Sequence, residues 1–379
     1  MTRSRGNRPY DLALFGVFGS GNFGNDATLD ACMAALCPPL PRSRILCIAA
    51  NPTGIAEAYG VEAVGLTRRN RYGQVLSELS SLFHAWRSLR RARRLIIAGT
   101  GVLDDQHVRP TQLPLEVLRW SLAARLAGAE LVFLSVGAGP IDQVWSRRFL
   151  KTAVALAHEV SYRDSRSKDF MASIGRDVGS DRVLPDLALS LEPPVDAQRP
   201  SAAQSAVAIG VLSRLNWRGS PDGYRRYEDN IVELAERISA GGGLVRIVTG
   251  DEADVDTRDA IMQRLASMEL SVEADECHSF SDVVRIVSTC DVMVASRYHN
   301  LVAAVIAGIP IVSLAYGPKN DALLEQFEMP SWGHDIDSFS VEVVMSNVRE
   351  ASRRPRVSRE TLEGYRQSIR DEFDHLIDE

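Results

Sequence analysis

The chain has 379 residues, 45% hydrophobic and 24% charged, long enough for two domains and too apolar for a mostly disordered protein. Its 43 Lys and Arg against 49 Asp and Glu leave a net charge of −6, which argues against a surface built for nucleic-acid phosphates. Five cysteines (Cys32, Cys37, Cys47, Cys277, Cys290) are scattered without a C-x-x-C pair, so neither zinc knuckle nor disulfide framework is expected, and reduced thiols point to the cytosol.

The opening segment has a basic head, but its apolar run is broken by Gly16 and Gly19, which does not make a signal peptide. Short continuous apolar runs follow at 10–17, 44–49, 94–99 and 130–137. Strands covered on both faces, as in parallel sheets, have this pattern. Helical spacing at 26–37 and 114–127 alternates with them, predicting a doubly wound α/β domain. Within 79–94, Leu79, Leu82, Phe83, Trp86 and Leu89 make a helical stripe ending in Arg87, Arg90, Arg91, Arg93 and Arg94. Such a helix either packs on its own core or touches anionic lipid or a lipid-linked substrate at the inner face of a membrane.

A Pro-rich stretch at 192–206 reads as a linker, after which the α/β pattern restarts. Strands are predicted at 207–212, 244–250 and 291–296, with helices near 223–240 and 257–267, and the segment 281–290 leads into the last of these strands. Leu301–Tyr316 is the longest apolar stretch, at sixteen residues interrupted by Gly308-Ile309-Pro310; it is too short for a membrane span and reads as a buried helix followed by a buried strand. A C-terminal helix over 354–379 carries a stripe of Leu362, Tyr365, Ile369, Phe373 and Leu376. The predicted architecture is two Rossmann-like doubly wound domains, 1–195 and 205–350, followed by this helix.

In such folds chemistry sits on loops just past strand ends. The first candidate loop, 16–27, holds Gly19, Gly21 and Gly24, with Asn22, Asn25 and Asp26 able to cap the helix that follows. It matches G-x-G-x-x-G but lacks the acidic residue about 20 positions on, so a nicotinamide site is poorly supported. The second, 98–106, offers Gly99, Thr100 and Gly101, with Asp104 and Asp105 as polar contacts or as a solvated turn. Further on, Arg163 stands at a strand end beside Asp164, with Asp186 past another short strand. Its guanidinium suits a carboxylate or phosphate, unless it is already paired with one of those aspartates. The most informative segment is 294–327. There Ser296, Arg297 and His299 cluster between a strand and an apolar helix, and a second strand delivers Lys319. A cation and an imidazole at a helix N-terminus suit an anionic substrate that needs proton transfer.

The runs GSGNFGNDA, GTGVLDD, SYRDSRS with PDLALSL, and above all SRYHNLVAAVIAGIPIVSLAYGPK resemble those of the polysaccharide pyruvyl transferases. Together they span about residues 12–330. The family pattern N-x-G-D is altered: Asn25 stands where its Asp is expected, and Asp26 is displaced by one. Tyr298 replaces a more usual aliphatic residue. The resemblance implies a glycosyltransferase-B-like fold with the active site in the inter-domain cleft, the acceptor held by the first domain and phosphoenolpyruvate by the second. It implies transfer of the enolpyruvyl unit of phosphoenolpyruvate to a sugar or glycan acceptor, free or lipid-linked, with closure of a cyclic ketal. No metal or other cofactor is called for. Arg163, Arg297 and Lys319 would meet the anionic donor and His299 would move protons. Rival readings are a nucleotide-sugar glycosyltransferase on the same scaffold and a non-catalytic member of the family.

Overall fold

The computed structural model describes residues 8–67, 74–99, 101–106, 108–194, 205–217, 219–315, 319–330 and 332–378. The first sheet comprises β1 (Tyr10–Phe15), β2 (Ile45–Ala49), β3 (Glu62–Gly65), β4 (Ala92–Ala98), β5 (Glu130–Val136), β6 (Glu159–Tyr162) and β7 (Arg182–Val183). Their order is β3-β2-β1-β4-β5-β6-β7, and the strand pairs are parallel. Leu12 aligns with Ile45 on one side and Arg94 on the other. The connecting helices are α1 (Phe23–Leu36), α2 (Pro52–Tyr59), α3 (Gln74–Leu89), α4 (Leu113–Ala127), α5 (Val144–Ala155) and α6 (Ser165–Ser173). They cover the sheet so completely that β2 is buried along its whole length, which is why its sequence shows no alternation. Phe15, Leu46, Leu95, Trp120 and Phe133 are central to this core.

The second sheet comprises β8 (Ala206–Gly210), β9 (Leu244–Val248), β10 (Val272–Ala274), β11 (Val292–Ala295), β12 (Ile311–Ala315) and β13 (Gly333–Asp335), in the order β10-β9-β8-β11-β12-β13. It is also parallel, and its order is that of a doubly wound dinucleotide-fold sheet. Its helices are α7 (Pro221–Ala240), α8 (Val255–Leu265), α9 (Phe280–Val287), α10 (Tyr298–Ile306), α11 (Lys319–Gln326), α12 (Val341–Ala351) and α13 (Arg359–Asp378). Its core is separate from the first and includes Ile209, Ile247, Val294 and Leu314.

Contacts gather residues up to Ser20, Thr28–Leu187 and the chain from Ile369 into one compact unit. Gly21–Ala27 and Ala188–Ser368 form the other. The glycine loop and first turn of α1 thus group with the second sheet, and the end of α13 groups with the first. On α13, Leu362, Ile369, Phe373 and Leu376 are buried, and Tyr365 is half-buried.

The helix expected over 79–94 ends at Leu89, and the last of its arginines belong to the sheet. Arg91 pairs with Glu62 at 2.7 Å, Arg93 lies 3.7 Å from Asp11, and the buried Arg94 pairs with Glu130 at 2.7 Å. Those cations are committed to carboxylates on strands of the same sheet, so they do not form the basic end of a helix. Leu82, Trp86 and Leu89 pack on the core, whereas Leu79 and Phe83 face outward.

Candidate active site

A doubly wound sheet opens its crevice at the carboxyl strand ends where the winding reverses. In the second sheet that point lies between β8 and β11. Ser296 and Arg297 leave β11 there. Ser296 is fully buried. Its carbonyl accepts from Asn320 Nδ2 at 3.1 Å, and the same amide nitrogen donates to Ser313 Oγ at 3.0 Å. That amide pins the turn to the start of α11.

Arg297 occupies the N-cap position of α10, in extended backbone, and is almost completely buried. Its guanidinium forks onto Asp254, with Nη2 donating to Oδ1 at 2.6 Å and Nε donating to Oδ2. Nη1 lies 3.2 Å from Asp251 Oδ2. Such a planar fork matches a carboxylate. Asp254 is fully buried and also accepts the backbone N–H groups of Ser213 at 2.8 Å and Gly250 at 3.2 Å. Burial pushes its carboxyl pKa up, and the Arg297 guanidinium pulls against that rise. The positive charge of Arg297 is therefore already balanced by two carboxylates from the loop after β9. Reading the sequence for candidates missed both. The run TGDEAD at 249–254 stands just past a strand, so the strand-end rule that selected the other loops would have found it.

The glycine loop closes on the same residues. Asn22 Nδ2 donates to Asp251 Oδ2 at 2.9 Å, and Asn22 Oδ1 accepts from the N–H groups of Gly24 and Asn25 at 3.1 and 3.3 Å. Phe23 N–H donates to Gly250 O at 3.2 Å, and Glu252 N–H donates to Gly21 O at 2.9 Å. Gly21 has φ +85°, and a Cβ there would stand 2.8 Å from Glu252 Oε2. A Cβ on Gly24 would stand 2.0 Å from His299 Nδ1, so the imidazole lies directly on the Gly24 backbone. His299 occupies the first turn of α10, edge-on to the rings of Phe280 and Tyr298 at 6.4 and 5.3 Å. Asn25 and Asp26 are half-buried in the first turn of α1. Thus Gly21, Asn22, Gly24, Asn25, Asp26, Ser296, Arg297 and His299 belong to one cluster. Lys319 opens α11 next to Asn320, and 316–318 before it lie outside the described residues.

In the first unit three strand-end loops pack together. Leu103 N–H donates to Gly137 O at 3.3 Å, and Gly139 N–H donates to Leu103 O at 2.8 Å. Arg163 is buried, with Nε 3.3 Å from Asp164 Oδ2 and Nη1 3.6 Å from Asp186 Oδ2. A Cβ on Gly137 would stand 2.7 Å from its guanidinium carbon. Gly99, at φ +45°, lies against Thr28, and Gly101 lies beside Asp104; Thr100 is outside the described residues. Asp105 is a buried cap, accepting the N–H groups of Asp142 and Gln143 at 2.9 and 2.8 Å ahead of α5. Both of its oxygens are taken by these N–H groups ahead of α5, so it is a buried cap and not a solvated turn.

Several solved structures share this fold. HepE from Anabaena, solved with UDP-glucose, aligns over 97% of this chain and 99% of its own at TM-score 0.60 and 12% identity. The UDP-GlcNAc 2-epimerase of Methanocaldococcus jannaschii aligns over 95% and 97% at TM-score 0.63 and 10% identity. The glycotransferase of kitacinnamycin aligns over 96% of both chains at TM-score 0.58 and 14% identity. At these identities the likeness is one of fold, two parallel-sheet α/β domains of the glycosyltransferase-B kind. A search of curated protein sequences finds no significant match. The profile of the polysaccharide pyruvyl transferases matches residues 56–318, beginning after the glycine loop and including Arg163, Asp186, Ser296, Arg297 and His299. The chain therefore belongs to the polysaccharide pyruvyl transferase family and is, as its members are, a transferase.

Proposed function

We propose that the protein transfers the enolpyruvyl group of phosphoenolpyruvate to two hydroxyls of a sugar on a glycan or glycoconjugate, forming a pyruvate ketal and releasing phosphate. The observation that carries this reading is His299, inside the family match and on the first turn of α10, with its imidazole against Gly24. An imidazole titrates near neutrality and can both give and take a proton. In the reaction one proton goes to the methylene carbon of the donor, leaving positive charge at C2. A sugar hydroxyl attacks C2, the C2–O bond to phosphate breaks, and a second hydroxyl closes the ketal. Of the two hydroxyl protons, one is balanced by the new methyl group and the other by the departing phosphate. We assign both proton movements to His299.

The donor belongs to the second unit in this reading and the acceptor to the first. Arg297 serves as a positioning residue, since Asp254 and Asp251 already balance its charge and it stands immediately before the helix that carries His299. Positive charge for the donor's carboxylate and phosphate comes from Lys319 and from the N-terminal N–H groups of α10 and α11. In the first unit, Arg163 is itself paired with Asp164 and Asp186, so it offers directed N–H donors more than net charge.

Thermal shift of the full chain with phosphoenolpyruvate, beside UDP, GDP and NAD, tests the donor. Saturation a hundredfold above Kd is worth about 2.7 kcal/mol of native-state stabilisation, a readily measured rise in Tm. That rise is expected with phosphoenolpyruvate alone and diminished in Lys319→Met and Arg297→Ala. Phosphate release with a sugar acceptor, abolished in His299→Gln, tests the chemistry. A rise with a nucleoside diphosphate and none with phosphoenolpyruvate would move the reading to a nucleotide-sugar glycosyltransferase.

A further inference from the structure

Helices α3, α4 and α5 make the crossovers β3 to β4, β4 to β5 and β5 to β6. All three advance in one direction through the sheet, and right-handed crossovers then place them on one face, where α3 packs on α4 and α4 on α5. Eleven large apolar side chains stand exposed among the described residues, and seven belong to these three helices: Leu76, Leu79 and Phe83, Leu122 and Leu126, Val144 and Trp145. Phe83 is 57% exposed, Leu126 66% and Trp145 58%. The charge is as uneven as the apolar area. The three helices hold six Lys and Arg against two carboxylates, Glu78 and Glu116, and both carboxylates are engaged by the buried Arg119. Arg87, Arg125, Arg147 and Arg148 are exposed. Arg148 lies 5.0 Å over the Trp145 ring, and Arg90, just past α3, lies 5.0 Å over Trp86. A chain with a net charge of −6 thus presents one face that is both cationic and apolar.

We propose that the outer face of α3–α4–α5 docks on an anionic lipid bilayer. Exposed apolar side chains enter the headgroup boundary, arginines meet lipid phosphates, and Trp145 sits at the interface depth that aromatic rings favour. No helix among the described residues is long and apolar enough to cross a membrane, so this face provides peripheral attachment. The inference does not depend on the identity of the donor.

Co-sedimentation of the full chain with vesicles tests it. Binding is expected with phosphatidylcholine containing phosphatidylglycerol, should weaken as salt rises, and should be slight with phosphatidylcholine alone. Phe83→Glu and Trp145→Glu each lower the partition coefficient roughly tenfold or more, and Arg87→Glu with Arg148→Glu lowers it by a similar factor. Leu215→Glu, at an equally exposed apolar site in the second unit, leaves it unchanged. All of these side chains are exposed, so an unaltered Tm verifies folding. Absence of binding to anionic vesicles, or binding that survives Phe83→Glu, overturns the proposal. So does self-association without lipid that Phe83→Glu abolishes, since a second copy would then cover this face.

Discussion

At Gly24 the sequence permits only a hydrogen where His299 needs room. The smallest addition, Gly24→Ala, would set a Cβ at 2.0 Å from Nδ1 and 2.2 Å from Cγ of the imidazole. Alanine suits the first turn of α1, so the expected outcome is a folded protein with a displaced imidazole. Misplacing a reacting group by about an ångström costs on the order of a hundredfold. Steady-state phosphate release should show that loss in kcat with little change in Tm, and unchanged turnover would detach Gly24 from the chemistry. The glycine was legible in the sequence as part of a strand-end loop; its service to an imidazole 275 positions later in the chain was not. Spacing along a chain reports local backbone needs, whereas the partner of Gly24 is set by how α10 and the loop meet. Asp254 lay within reach of the strand-end rule, but its role did not. A lone Asp in an acidic run looks solvated until its burial and its fork with Arg297 are seen.

Among the elements, the central strands were legible because parallel strands buried on both faces leave uninterrupted apolar runs. Edge strands left no such trace: β3 is only partly buried, and β7 is two exposed residues. The boundary between α3 and β4 was misjudged because Arg90–Arg94 continues a helical rhythm, while the structure uses Arg91, Arg93 and Arg94 to meet Glu62, Asp11 and Glu130. Ion pairing across elements overrides periodicity there. The stripe on α13 was legible in the sequence, whereas the residues it packs on were not. Phe373 is 1% exposed, Glu372 takes a two-pronged contact from Arg182 at 2.6 Å on each oxygen, and the Leu376 carbonyl accepts from Arg94. Phe373→Ala should cost about 3 kcal/mol or more through cavity formation. Chemical denaturation followed by near-ultraviolet signals would measure it. A loss under about 1 kcal/mol would mean that the end of α13 is not part of that core.

Across the whole molecule, two sheets with the same winding carry two separate hydrophobic cores. Each core can therefore be loosened on its own. Leu314→Ala should remove about 2 to 5 kcal/mol and speed amide exchange in β8, β11 and β12, with β1, β4 and β5 unaffected. Leu95→Ala should do the reverse. Exchange that rises in both sheets after either change would mean that the two open as one cooperative body. Family membership was legible at this scale because the SRYH segment and the strand-end loops at 98–106 and 160–167 lie inside the match from 56 to 318; the acceptor was not, since loop shape is not written in spacing. The chain also does not fill its units in order. Residues from Ile369 onward complete the unit that otherwise runs to Leu187, so during synthesis the ribosome delivers the whole second unit before the first receives Phe373 and Leu376. The nascent first sheet must wait with that flank of its core unfilled, which makes the stretch between Ala188 and Ser368 the interval in which chaperones have the most to protect.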